Sequence, residues 1–210
     1  MQLPASLTPR QIIWGKTLIW LLCLVPLGRL VFLGLTDGLG ANPIEFITHS
    51  TGTWTLVGLL VTLSVTPLRK LGAPGWLLRF RRLLGLFAFF YACLHFMTYI
   101  WLDQFFDPAS IAKDVIKRPF ITAGFAAFLL LIPLAATSRQ RMMRKMGRNW
   151  QRLHRLIYFI ASLGVVHYWW LVKKDITQPL IYACVLVILL AMRLPGFSVK
   201  LPSGSRVGNH

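Results

Sequence analysis

Six long apolar stretches constrain this chain more than any other feature of its sequence. They cover residues 12–35, 51–68, 83–102, 120–137, 156–172 and 179–194. About 20 apolar residues in a helix cross the hydrocarbon layer of a bilayer, and the last two stretches need flanking residues to reach that length. Hydrophobic residues make up 56% of the chain, too many for the solvated surface of a soluble domain. We therefore predict an all-α membrane protein, with one transmembrane domain over residues 1–210 built as a bundle of six helices.

Two features of these stretches affect where the predicted helices end and whether the first of them is a signal peptide. Pro26 and Pro133 fall inside stretches, where neighbouring helices can satisfy the freed backbone groups, so we expect kinks and not helix ends. The first stretch is too long for a signal peptide, contains Arg29 and lacks a small-x-small cleavage site. We expect it to be a retained membrane anchor.

The basic residues predict the orientation of the bundle. Of the 23 Lys and Arg residues, 17 lie at one set of stretch ends, whereas five lie at the other set together with all six acidic residues. Because basic residues stay on the cytoplasmic side, both termini are predicted to be cytoplasmic. The basic segments that give the net charge of +17 either serve as topology signals that contact anionic lipid or bind a phosphate-bearing cofactor or a soluble reductase. Nucleic acid is not expected as a partner, since the basic residues interrupt apolar runs and do not form a polar basic domain.

Histidines inside the apolar stretches are the second informative feature, because ionisable groups in a membrane often mark a functional site. His95 lies about twelve residues into the third stretch and His167 about eleven into the fifth, so each should lie about 18 Å or slightly less from the cytoplasmic end. Two facing histidines at one depth on different helices are the axial ligands of a b-type haem. We predict that His95 and His167 bind one haem iron in the outer half of the membrane. The residues one turn away are Tyr91, Tyr99 and Gly164.

The same histidine pair is also compatible with a purely structural role. A neutral imidazole packs in a membrane protein by bonding to a hydroxyl or carbonyl of another helix, and this alternative to haem stays open. A zinc site would need a third or fourth ligand at the same depth, which the sequence does not offer. A proton relay would need an acidic residue inside a stretch, and none is present. The absence of a C-x-x-C-H motif excludes covalent c-type haem.

His154 precedes His167 by 13 residues, about 20 Å along a helix, and would mark the cytoplasmic interface. There it either holds a second cofactor in the inner leaflet or begins a helix among arginines. On a straight helix the two side chains would point roughly 140° apart, so a shared face requires a bend, which Gly164 would permit. At the matching depth the third stretch carries Arg81 and Arg82 instead of a histidine.

Two further polar residues lie near the outer ends of stretches. His49, at the start of the second stretch, either bonds a haem propionate, acts as a ligand or caps a helix. Arg29, at a similar outer depth, either neutralises a haem propionate or extends its charged end to the membrane surface. Both remain candidate cofactor contacts.

Several runs of residues resemble one known family. They are GANP at 40–43, THSTG at 48–52, RRLLGL at 81–86, LHFMTY at 94–99, RPFIT at 118–122, WQRLHRLIY at 150–158 and HY at 167–168. In this order, and over nearly the whole chain, they are similar to the haem-binding membrane subunits of the bacterial system that reduces methionine sulfoxide in periplasmic proteins, the MsrQ family. That family belongs to the ferric-reductase-like transmembrane group.

The resemblance implies a multi-pass electron conduit in the bacterial inner membrane. Members of the family take electrons from the membrane quinone pool, carry haem b and FMN, and deliver electrons to a periplasmic subunit with a molybdenum cofactor, which reduces methionine sulfoxide. His95, His154 and His167 match the family's haem-ligand histidines, which leaves the number of haems open. No nucleotide-phosphate motif locates the FMN. We expect the partner to dock on the acidic outer segments, at Asp103, Asp107 and Asp114.

Two functions of a different kind stay open. A transmembrane ferric or cupric reductase would use the same arrangement of spans. A non-redox permease or scaffold would use the histidines for gating or packing, and it would purify without a haem absorption band.

Overall fold

The computed structural model describes residues 6–172 and 175–194, and every regular element in these ranges is a helix. The helices are α1 (Pro9–Leu35), α2 (Pro43–Lys70), α3 (Leu78–Met97), α4 (Pro108–Lys117), α5 (Pro119–Ala136), α6 (Gln140–Met146), α7 (Arg148–His154), α8 (Leu156–Leu171) and α9 (Thr177–Ala191). A 3₁₀ turn at Gly75–Leu77 leads into α3, and a π-helical turn at Thr98–Asp103 continues it. The predicted all-α class is confirmed.

Four helical segments in the described ranges are long and apolar enough to cross a membrane. They are Pro9–Leu35, Pro43–Lys70, Gly75–Asp103 and Pro119–Ala136. The chain is therefore a multi-pass membrane protein. α8 and α9 overlap the last two apolar stretches but contain only 16 and 15 residues, so the count of six spans stays a prediction. Both termini, Lys173 and Lys174 lie outside the described residues, and the orientation also stays a prediction.

Proline determines where several helices begin. Four of them start with proline, whose missing N–H group has no helical partner at that position; these prolines are Pro9, Pro43, Pro108 and Pro119. Asn42 caps α2 by accepting the Glu45 N–H at 3.2 Å, so α2 begins eight residues before the apolar stretch that predicted it. The added turns bring Thr48 and His49 into the helix.

Two apolar clusters hold the bundle together, and both include α2 and α8. One cluster joins these helices to α9 and contains Leu56, Leu60, Leu63, Ala161, Val165, Leu186 and Leu189. The other joins them to α3 and α5 and contains Leu59, Ala88, Ala92, Ala127, Leu131, Leu134 and Ile160. The alanines allow the helix backbones to approach closely. The helices that carry His95 and His167 are thus packed into one cluster.

α1 lies at the edge of the bundle, and Tyr91 ties it to α3. As predicted, α1 does not end at Pro26, and α5 likewise continues through Pro133. The Tyr91 hydroxyl donates to the Cys23 carbonyl at 2.6 Å and accepts from the Leu27 N–H at 3.2 Å. This hydroxyl is therefore inserted into the backbone of α1 beside Pro26, and the side chain is turned toward α1.

Replacing Tyr91 with Phe removes the hydroxyl that joins α3 to α1. We expect the free energy of unfolding in detergent to fall by about 1 kcal/mol, because hydrogen bonds between membrane helices contribute about that much. The control is Thr66→Val, since the buried Thr66 hydroxyl has no hydrogen-bond partner among the described residues. Equal stability of the Tyr91→Phe and Thr66→Val proteins would contradict this role for Tyr91.

Candidate functional site

A cavity of about 560 Å³ lies between α2, α3, α5 and α8. Its mouth lies at the end of the bundle where α2 and α5 begin and where α8 and the π-helical turn after α3 end. The mouth is polar and is lined by Asn42, Glu45, Asp103 and Arg118. Its floor consists of buried apolar residues, Leu59, Leu131 and Ile160. Apolar walls with a few polar groups are typical of cofactor and ligand sites.

His95 of α3 and His167 of α8 meet inside this cavity. Their ring centroids are 6.1 Å apart and their ring planes are inclined at 73°. A metal–imidazole bond is about 2 Å long and the bonded nitrogen lies roughly 1 Å from its ring centroid, so two rings on opposite sides of one metal have centroids roughly 6 Å apart. The observed separation of the ring centroids therefore leaves room for one metal ion between the two rings.

A backbone carbonyl from a neighbouring helix holds the Nδ1 atom of each ring. His95 Nδ1 lies 3.0 Å from the Thr48 carbonyl oxygen, and His167 Nδ1 lies 2.6 Å from the Phe120 carbonyl oxygen. Since a carbonyl only accepts, each neutral ring must carry its proton on Nδ1 and donate it. The Nε2 atom of each ring then has the free lone pair that binds a metal.

This donor set fits a haem. Within residues 6–172 and 175–194, no group of three or more His, Cys, Asp or Glu side chains is arranged to hold a metal ion. A haem iron needs only two protein ligands, because the porphyrin supplies four nitrogens. Aromatic rings of Phe96, Phe125 and Phe128 line the cavity, and the Phe96 and Phe128 rings stack with centroids 4.4 Å apart. A flat apolar macrocycle suits such a wall.

Arg118 is an arginine at the mouth of the cavity. Its Nε lies 3.4 Å from Asp114 Oδ1, and Gln104 Nε2 donates to Asp114 at 3.1 Å. Arg29, the propionate candidate expected from the sequence, is exposed on α1 with its guanidinium 5.9 Å from the Phe46 ring centroid, and it is not among the residues that line the cavity. Sequence reasoning missed Arg118 because it stood out only as a loop charge, although it begins the RPFIT run.

The remaining residues predicted near the haem divide between the cavity wall and its mouth. His49 lies at the mouth with its side chain 46% exposed, and its Nε2 is 3.9 Å from Glu45 Oε1. Tyr99 and Gly164 line the cavity, whereas Tyr91 does not. α8 continues without interruption through Gly164.

His154 lies away from this cavity, in the opposite part of the bundle. It is the last residue of α7, its ring stacks on Trp150 with centroids 4.0 Å apart, and its Nε2 lies 3.1 Å from the Thr137 hydroxyl. Burial and the nearby positive charge of Arg81 lower the pKa of the His154 imidazole, which favours its neutral form. The regular helix is interrupted at Arg155, directly after His154.

A comparison with known families matches residues 50–165 to the family described as ferric reductase like transmembrane component. The matched range contains His95 and His154 and ends two residues before His167. No solved structure shows a significant match to the chain.

Curated relatives cover most of the chain. A protein from Herminiimonas arsenicoxydans is 55% identical over 190 residues, which is 89% of this chain and 87% of the relative. Others are from Ralstonia nicotianae (55% identical, covering 91% of this chain and 90% of the relative) and Xanthomonas euvesicatoria (49% identical, covering 89% and 88%). All three are named protein-methionine-sulfoxide reductase heme-binding subunit MsrQ. The resemblance seen in the sequence is confirmed, and the chain belongs to the MsrQ family within the ferric reductase like transmembrane group.

Proposed function

We propose that this chain is the haem-containing electron-transfer subunit of a methionine sulfoxide reductase system in the bacterial inner membrane. It passes electrons from the quinone pool, through haem b bound by His95 and His167, to a periplasmic molybdenum-cofactor subunit. That partner reduces methionine sulfoxide and so repairs oxidised proteins. The observation that carries the proposal is the 6.1 Å separation of the two imidazoles inside a cavity of suitable size. The names of the relatives support the identity of the partner reaction.

The overall reaction balances in electrons and protons. Oxidation of a quinol to a quinone releases two electrons and two protons, and reduction of methionine sulfoxide to methionine and water consumes the same number. Bound haem supplies a one-electron iron couple. The chain therefore serves as the electron-transfer subunit, and the sulfoxide chemistry belongs to the partner.

The chain's own residues hold and shield the cofactor in this proposal. His95 and His167 would hold the haem iron through Nε2, because their Nδ1–H groups bond to carbonyls and so keep both rings in the ligating tautomer. The apolar floor excludes water, so nearby charges act on a bound haem more strongly than they would in water. Arg118 and His49, at the polar mouth, are the candidates to neutralise propionate groups. Arg29, which is exposed on α1, is a further candidate for this role.

We propose that the partner docks over the segment that joins α3 to α4. Asp103 and Asp107 are exposed there, whereas Asp114 forms an ion pair and its side chain is only 14% exposed. Phe105 and Phe106 are also exposed, at 79% and 60%. Because Asp103 also lines the cavity mouth, a partner at this surface would be close to the histidine pair.

A second cofactor, FMN or a further haem by family resemblance, would bind at the other end of the bundle near His154. The basic residues around this histidine and its preference for the neutral form support the proposal. Ligation of a metal by Nε2 would replace its present contact with the Thr137 hydroxyl.

His95→Ala and His167→Ala each remove one axial nitrogen. We expect the haem content of the purified protein to fall by more than about tenfold, since loss of even an indirect partner of a metal ligand weakens binding by about 10- to 100-fold. Haem is measured by its reduced-minus-oxidised absorption spectrum per chain, and electron delivery is measured with quinol as donor. Variants that keep a full b-type spectrum and normal turnover would refute the assignment.

His154→Ala is expected to keep the haem bound by the other two histidines, because His154 lies outside their cavity. The low-spin electron paramagnetic resonance (EPR) signal of that haem should match the wild type, while its reduction by quinol slows if the second cofactor is lost. Loss of the His95–His167 haem signal in this variant would show that the ligand assignment is wrong.

A ferric or cupric reductase is the second candidate, and the matched family description favours it. To separate the two candidates, the purified chain is first reduced with quinol. Its reoxidation is then measured in one sample with the sulfoxide-reducing partner and in another with Fe(III) or Cu(II) chelates alone. Fast reoxidation by the chelates without the partner would favour the metalloreductase. A colourless preparation would instead favour a permease or scaffold.

A further inference from the structure

α2 and α5 contact the two histidines with the same local arrangement. On α2, the Thr48 carbonyl accepts from His95 Nδ1, and Gly52 lies four residues later. On α5, the Phe120 carbonyl accepts from His167 Nδ1, and Gly124 lies four residues later. Residues four apart lie one above the other on a helix face, about one turn apart. We call each carbonyl with its glycine a carbonyl–glycine cradle.

Each glycine lies directly against the imidazole that its cradle holds. A Cβ atom added at Gly52 would lie 3.0 Å from His95 Cε1 and 3.2 Å from His95 Nδ1. A Cβ atom added at Gly124 would lie 2.8 Å from His167 Nδ1 and 2.9 Å from His167 Cε1. Carbon atoms in favourable contact are about 3.5–4.0 Å apart. Either alanine would therefore push the ring away from the helix that bonds its Nδ1 atom.

Glycine in a helix interior is less stabilising than alanine, so its use calls for a local reason. At Gly52 and Gly124 the three nearest atoms to an added Cβ all belong to a histidine ring. Gly58, on the same helix as Gly52, differs: an added Cβ there would lie 3.0 Å from Ala88 Cβ. Gly58 thus serves close packing of α2 against α3, whereas Gly52 makes room for an imidazole.

We propose that Gly52 and Gly124 are positioning residues for the axial ligands. Each cradle holds its ring against the helix and keeps the proton on Nδ1, so that Nε2 is left to bind the iron. A hydrogen bond from Nδ1–H to a carbonyl also raises the basicity of the ligating nitrogen. The two cradles set the ligand strength on both faces of one haem. This inference rests on the proposed haem-binding function.

The test compares Gly52→Ala and Gly124→Ala with Gly58→Ala, which crowds α2 against α3, the helix pair of Gly52 and His95, without touching a histidine. Apoprotein is titrated with haem b, and three properties are measured: haem affinity, the low-spin EPR signal and the midpoint potential. We expect Gly52→Ala and Gly124→Ala to bind haem about tenfold more weakly, with a shifted EPR signal and a higher midpoint potential, because a less basic ligand stabilises Fe(III) less. Gly58→Ala should lower apoprotein stability but keep the wild-type EPR signal and potential.

Wild-type EPR signals and potentials in both Gly52→Ala and Gly124→Ala would overturn the inference. If these variants do not fold, pulsed EPR of wild-type protein with ¹⁵N-labelled histidine reports the Nδ1 protons directly. Two protons that are strongly hydrogen-bonded and slow to exchange with deuterium are expected; fast exchange at both would overturn the inference. Failure of the proposed function is distinct, since it would appear as wild-type protein without haem or as His95→Ala and His167→Ala proteins that keep it.

Discussion

The hydrogen bond from each buried imidazole to a backbone carbonyl is the interaction on which the site depends. A polar N–H group inside a membrane protein needs a partner, because no water replaces it there. His95 and His167 both find that partner on a neighbouring helix, at the Thr48 and Phe120 carbonyls. These bonds leave both Nε2 atoms free for a metal. The proposed ligand pair therefore depends on the packing of α2 against α3 and of α5 against α8.

The features of the fold that depend on local sequence, namely the positions of the helices and the depth of a residue along a helix, could be predicted from the sequence. All six apolar stretches coincide with or overlap helices, because apolarity over a bilayer's thickness is a local property. The matched level of His95 and His167 followed from the constant rise of a helix, and their rings are indeed neighbours. For the two histidines to meet, the helices that carry them had only to run in the same direction and pack in the same cluster.

Features that depend on contacts between distant residues could not be predicted. Any residue carries a carbonyl, so nothing in the sequence marked Thr48 or Phe120 as partners of histidines. Hydropathy does not tell which face of α1 carries Arg29, and this face is exposed. The helix is interrupted at Arg155 and not at Gly164, so the interruption lies just before the fifth apolar stretch and not inside it.

A cryo-electron microscopy structure of the purified, haem-loaded protein would show which residues bind the iron. The account predicts one haem between α3 and α8, with the Nε2 atoms of His95 and His167 on opposite faces and each about 2 Å from the iron. It also predicts that both Nδ1 atoms remain bonded to the Thr48 and Phe120 carbonyls. A structure in which no haem iron is bound by both His95 and His167 would contradict the account.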